Sequence, residues 1–105
     1  MTKIVYRDND NLITVTGLRD ISAGGDYLNS ASVTANLYDE DGSLVTPTGG
    51  ITLSHVSGSD GDYEGVIQSS TSLAVGPNYR LEIDASQAGV VAHWELEAEV
   101  VERQT

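Results

Sequence analysis

With 105 residues the chain has the length of one domain, and such a chain buries roughly 60–70% of the surface it exposes when unfolded. Its 5 basic against 16 acidic side chains give a formal charge of -11, which excludes phosphate backbones and anionic lipid headgroups as natural partners. Cysteine and phenylalanine are absent and there is one tryptophan, so disulfide and thiolate chemistry are ruled out, and Val, Ile, Leu, Ala and 5 tyrosines must fill the core.

Lys3-Ile4-Val5-Tyr6-Arg7 is expected to form a first strand. Asp8-Asn9-Asp10-Asn11 should turn into a second over Leu12–Gly17, because Asx side chains bond the local backbone and tolerate left-handed conformations. From Leu18 to Ser30 the pattern lapses around Gly24-Gly25, the longest irregular stretch and the kind of loop that tends to carry function. Alternation resumes at Ala31–Tyr38, where Val33, Ala35 and Leu37 share a face, and Asp39-Glu40-Asp41-Gly42 is a strong hairpin signal. Ser43–Thr46 returns until Pro47 stops it, Ile51–Val56 is the next strand, and Ser57-Gly58-Ser59-Asp60-Gly61 the next turn. Tyr63, Gly65 and Ile67 then oppose Glu64, Val66 and Gln68, and a polar loop from Ser69 closes at Gly76-Pro77.

The last two strands alternate most plainly. Tyr79, Leu81, Ile83 and Ala85 face one way against Arg80, Glu82 and Asp84. After Ser86-Gln87-Ala88-Gly89, the residues Ala92, Trp94, Leu96, Ala98 and Val100 oppose His93, Glu95, Glu97 and Glu99. A period of two marks one buried and one wet face. About seven such strands with short turns, no helical period, no repeat and no linker predict one all-β domain over residues 1–105, a single antiparallel β-sandwich, immunoglobulin-like or jelly-roll-like. Trp94, Tyr63 and Tyr79 fall on the apolar parity and are expected in its core.

Chemistry-bearing constellations are scarce. Aligning Gly42 with the invariant glycine of a calcium loop puts Leu37 and Thr48 at its end ligand positions, so that match fails. Asp8-Asn9-Asp10 and Asp60-Gly61-Asp62 are single turn fragments, and successive members of the Glu95, Glu97, Glu99 row stand about 7 Å apart along a strand, too wide for shared coordination. His55 and His93 lie on different strands, and His93 with Glu95 is short of the three ligands of a catalytic zinc site. No G-x-S-x-G elbow marks an activated serine. The expectation is a non-enzymatic protein without cofactor or metal. The glutamate row is read as a solvated face or a docking face for a basic partner, and Tyr27 as the aromatic that touches a partner. The N-terminal segment from Met1 to Asp10, with Ile4, Tyr6 and Arg7, and the Gly17-to-Ser30 loop are expected to make the partner contacts, by strand addition or by ordering on the partner. Its start has no apolar signal-peptide core and no stretch approaches a membrane span, so the product is expected to remain in the cytoplasm or be assembled there.

Three segments in order carry a resemblance: Leu37–Val45 with its Asp-x-Asp-Gly turn, Gly61-Asp62-Tyr63-Glu64-Gly65-Val66-Ile67, and Gly76-Pro77-Asn78-Tyr79-Arg80-Leu81-Glu82-Ile83-Asp84-Ala85. Together, over residues 31–101, they resemble bacterial and phage immunoglobulin-like sandwich domains at framework positions. A signal-free, acidic sandwich of this size is similar to accessory virion proteins of tailed bacteriophages. The resemblance implies a structural protein on the outer surface of the head, a decoration or cement protein that holds neighbouring major capsid subunits together. Alternatives are a head–tail or tail component and a soluble carbohydrate- or protein-binding module. The partners would be virion proteins, with neither nucleic acid nor membrane, and self-association is left open.

Overall fold

A computed structural model describes residues 2–20, 26–46, 50–87 and 89–102. Its strands are β1 (Thr2–Tyr6), β2 (Asn11–Val15), β3 (Arg19–Asp20), β4 (Asp26–Tyr27), β5 (Ser32–Tyr38), β6 (Ile51–His55), β7 (Tyr63–Ile67), β8 (Gly76–Gln87) and β9 (Val90–Val101). Alternation builds them, since side chains of an extended chain point to opposite faces and burying the apolar face drives folding. In β2, Ile13 and Val15 are buried while Leu12 and Thr14 are exposed, and in β5 Val33, Ala35 and Leu37 point inward. From β8, Tyr79, Leu81, Ile83 and Ala85 join them. A fully buried Val, Leu or Ile contributes about 1.5–3 kcal/mol, so these rows are the main source of stability.

A 7-stranded sheet runs in the order β1-β9-β8-β5-β6-β7-β2, nearly closed into a barrel, with β3 and β4 as a separate ribbon. No helix occurs among the described residues. The all-β expectation holds, but the sheet is mixed: β1 runs parallel to β9, with Thr2 opposite Glu97 and Tyr6 opposite Val101, while the other neighbours are antiparallel. Alternation encodes which face is buried and carries no information on the direction of the neighbouring strand.

The two halves of the roll are joined by β6. Its residues Ile51, Thr52 and Leu53 pair with Ala35, Thr34 and Val33 of β5, and Ser54 and His55 then pair with Glu64 and Tyr63 of β7. Gly65 permits the crossing, because a Cβ there would stand 2.8 Å from the Thr52 carbonyl oxygen. A glycine inside a strand often marks such a close backbone approach.

β1 and β2 end the strand order on opposite sides, and side chains rather than a backbone ladder bridge the seam between them. Asn11 is buried; its Nδ2 donates to the Tyr6 carbonyl at 2.9 Å and its Oδ1 accepts from the Tyr6 N–H at 2.8 Å. Lys3 Nζ donates to the Leu12 carbonyl at 2.9 Å. Replacing Asn11 by Ala is expected to cost about 1–3 kcal/mol, the usual penalty for stranding buried backbone groups. Urea denaturation checks it, and a loss below about 0.5 kcal/mol, the range of ordinary surface changes, would show that the seam does not depend on this side chain.

Several local expectations change. The N-terminal segment, expected to form a strand and to contact a partner, is built into this chain's own sheet from Thr2 to Tyr6: Val5 is 0% exposed, and the Arg7 N–H extends the β1–β9 pairing by donating to the Val101 carbonyl. Between Leu18 and Ser30 the chain is anchored by buried Leu18 and Leu28, joined by a 2.8 Å bond from Leu28 N–H to the Leu18 carbonyl, with the β3–β4 ribbon beyond. Gly24-Gly25, Pro47 and Thr48 lie outside the described residues. The return after Gly42 is a single bridge between Leu44 and Tyr38 rather than a strand. Gly76-Pro77 begins β8, with a register shift before Tyr79, instead of closing the loop. Trp94 has the expected inward parity but is only partly buried.

Candidate functional site

Among the described residues, charged side chains cluster on the outer face of the β8–β9 hairpin. Gly89, at φ 87, turns the chain so that Gln87 meets Val90. Antiparallel register then sets Asp84 beside His93, Glu82 beside Glu95 and Arg80 beside Glu97, all pointing away from the core. The same turn that buries Ile83 against Trp94 thus assembles the polar cluster.

Within it, His93 Nδ1 donates to Asp84 Oδ1 at 2.6 Å, and its Nε2 lies 3.6 Å from Glu95 Oε2 and 3.9 Å from Glu82 Oε1. Arg80 reaches Glu82 Oε2 through Nη2 at 2.6 Å and Glu95 Oε1 through Nε at 3.1 Å, with its guanidinium 4.9 Å above the Tyr38 ring. Exposed ion pairs of the Arg80 kind stabilise by at most about 1 kcal/mol each, so the cluster shapes a surface more than it holds the fold. Among the described residues no group of three or more His, Asp or Glu is placed to hold a metal ion.

The hydrogen bond to Asp84 raises the His93 pKa above its ordinary value, against a smaller opposing effect of desolvation. A raised folded-state pKa means that this pair stabilises below the unfolded-state value of 6.5 and that the contribution is lost as pH rises through the folded-state pKa. Asp84→Asn is expected to bring the His93 midpoint down toward 6.5 in an NMR titration of the imidazole. An unchanged midpoint would assign the shift to Glu95 and Glu82 instead.

Ile4 is exposed and registered with Glu99, and Glu97 lies opposite Thr2, so the structure brings Ile4, Glu97 and Glu99 onto one surface continuous with Glu95. Tyr6 is half-buried on the same strand, and Arg7 pairs with Glu102 at 3.2 Å and Asp8 at 3.5 Å. Tyr27 stands apart on the ribbon, 41% exposed, with the Arg19 guanidinium 4.5 Å over its ring. His55 is directed elsewhere, its Nε2 3.0 Å from the Ser59 carbonyl and its ring edge-on to Tyr63. The acidic turns are occupied by backbone: Asp39 Oδ1 accepts from the N–H groups of Asp41 and Ser43, Asp10 Oδ1 from Ser69, and Asp62 Oδ1 from Gly17.

Arg80, Glu82 and Asp84 were not among the residues expected to form a site. Their parity was plain, and pairing Gln87 with Val90 would have registered them with His93 and Glu95. The four described cations, Lys3, Arg7, Arg19 and Arg80, are each engaged within the chain, whereas Glu97 and Glu99 have no ion-pair partner among the described residues. The arrangement can therefore accept cationic groups from outside. No family model, no curated protein and no solved structure matches this chain.

Proposed function

We propose that this protein is a non-catalytic structural component of a tailed-phage virion, a decoration protein that binds neighbouring capsid subunits on the outside of the head. The observation that carries the binding part of this reading is the contrast between a filled interior and a negative exterior. Tyr63, Ile13, Leu37, Ile67, Leu81 and Ile83 fill the roll, no buried side-chain polar atom among the described residues lacks a partner, and the free carboxylates stand on the outer face of β9. Recognition then falls to surfaces, and a negative one suits a position away from packaged DNA.

The immunoglobulin-like part of the reading has two supports. In an immunoglobulin sandwich the strands B, E and D adjoin in one sheet and C, F and G in the other; here β2-β7-β6 and β5-β8-β9 are adjacent in that sense. Tyr79, near the start of β8, donates its hydroxyl to the Ala74 carbonyl at 2.7 Å, five residues upstream, which resembles the tyrosine corner of such domains.

A second reading, a carbohydrate-binding module, has a groove of about 410 Å³ to draw on, with Thr52, Gln68, Ser70 and Thr71 on its walls. Among the described residues no aromatic ring lines it, which leaves sugar faces nothing there to stack on. The test is to mix the purified protein with capsid shells lacking accessory proteins and to measure mass by light scattering. Stoichiometric capture supports the decoration role, and a protein that remains free overturns it.

A further inference from the structure

The inward row of β9 is covered unevenly. Ala98 and Val100, beside β1, are 0% exposed, whereas Val90, Ala92, Trp94 and Leu96 of the same row are only partly buried. The difference follows the pairing. β1 lines the edge of β9 along residues 97–101, and among the described residues nothing pairs with residues 90–96 on the side away from β8. Where a neighbouring strand is present the row is sealed; where it is absent the row is open.

We propose that residues 90–96 of β9 are a docking edge for an extended segment of a partner protein, one that alternates apolar with Lys or Arg side chains and adds to the sheet in line with β1. A strand edge supplies a row of N–H and C=O groups, and strand addition obtains affinity from that row and specificity from alternate side-chain pockets. The apolar side chains of the partner would cover Ala92, Trp94 and Leu96. At the junction with β1 one of them would enter a cleft of about 250 Å³ lined by Lys3, Ile4, Ile13, Thr14, Leu81, Ile83 and Leu96. Its outward side chains would face Val91, His93 and Glu95, with Glu97 at the junction with β1 and Glu82 and Asp84 one strand further in.

Charge selects the occupant. A second copy of this chain laid edge to edge would bring Glu95, Glu82 and Asp84 of one copy toward the same carboxylates of the other, each copy carrying a formal charge of -11, and like charges across strands destabilise the pairing. A basic strand meets Glu95, held in place by Arg80, and at the junction with β1 Glu97, which has no ion-pair partner among the described residues. The inference rests on the reading of this protein as a protein-binding module and does not depend on the virion.

The probe is a capped seven-residue peptide alternating Lys and Val, with one version N-methylated at every Val, one N-methylated at every Lys, and one that carries Glu in place of Lys. In the free protein, the amides of residues 90–96 that point away from β8 should exchange rapidly with solvent. The Lys–Val peptide is expected to bind saturably below about 1 mM, to slow those amides and to shift the fluorescence of Trp94, the single tryptophan. N-methylation on the edge-facing side should abolish binding, as should Glu in place of Lys, and the double variant Glu95→Lys, Glu97→Lys should weaken it by roughly tenfold or more. Amides 90–96 already protected in the free protein, no protection at about 1 mM peptide, or binding of both N-methylated peptides equal to that of the unmethylated one would each overturn the proposal. Peptide binding without capture on capsid shells would remove the virion role and leave this edge in place. Shell capture with residues 90–96 still freely exchanging would do the reverse.

Discussion

Gly61→Ala is expected to lower the stability of this protein by about 2–6 kcal/mol, a large part of the roughly 5–15 kcal/mol that holds a domain of this size together. Two costs combine. Gly61 has φ 74, where a residue with a Cβ is strained by about 1–3 kcal/mol. The new Cβ would also stand 2.5 Å from both the N and the O of Leu18. Those are backbone atoms, so no side chain can rotate aside, and relief requires moving the segment that Gly61 itself holds: its carbonyl accepts from Leu18 N–H at 2.8 Å and its N–H donates to Asn29 Oδ1 at 2.7 Å. Overpacking of this kind adds about 1–3 kcal/mol.

Gly58→Ala is the matched control. It has φ 82 in the same turn, with nothing within 4 Å of its Cβ position, so it bears the conformational cost alone. Thermal unfolding of the two variants separates the terms. Gly61→Ala should melt lower than Gly58→Ala by on the order of 10 °C or more, at about 4–8 °C per kcal/mol for a small domain. Equal midpoints would mean that the segment around Leu18 does not rest on this turn.

The same two glycines mark where the sequence stops being informative. Ser57-Gly58-Ser59-Asp60-Gly61 announces a turn, and a turn is there, but nothing local says that one glycine faces solvent and the other abuts Leu18. Periodicity carried β2, β5, β7, β8 and β9 because each buries one face and the pattern records it. It was silent on partners. The parallel pairing of β1, the crossing of β6 over Gly65 and the closure of the seam by Asn11 depend on residues far apart in the chain. Asn11 in particular read as a turn former among Asp8, Asn9 and Asp10, whereas its amide acts on Tyr6 across the seam. The ribbon of Arg19–Asp20 with Asp26–Tyr27 is too short to show a period at all.

The candidate surface was legible in half. Glu95, Glu97 and Glu99 stood out as a row, and the structure does turn them outward. The partners on β8 required a register, and the open stretch of the β9 edge required knowing that β1 stops opposite Glu97. Trp94 shows the limit well: parity points it inward, but how deeply it is buried depends on whether a strand lies alongside.

Tyr63 carries the second large effect. Its ring is 1% exposed between β2 and β6, registered with Val15 and His55, and its hydroxyl donates to the Leu28 carbonyl at 2.6 Å while accepting from the Ala31 N–H at 2.9 Å. Tyr63→Ala should cost about 3–5 kcal/mol, as large-to-small changes of buried aromatics do. Tyr63→Phe keeps the ring and strands two backbone groups, at about 1–3 kcal/mol. The two variants differ in where the damage appears. Loss of the ring should loosen the whole roll. Loss of the hydroxyl alone should raise hydrogen exchange at Ala31 while leaving the β5–β8 pairs protected, because the ladder from Ser32 to Tyr38 begins after the bond is broken. Tyr27 sits next to Leu28, so the same variant should also free its ring, and broadened Tyr27 resonances in Tyr63→Phe would show that the exposed aromatic is held in place from the core. A Tyr63→Phe protein that keeps full stability and a protected Ala31 amide would mean that the hydroxyl holds nothing, and that the Leu28 to Ala31 segment is fixed by the burial of Leu28 alone.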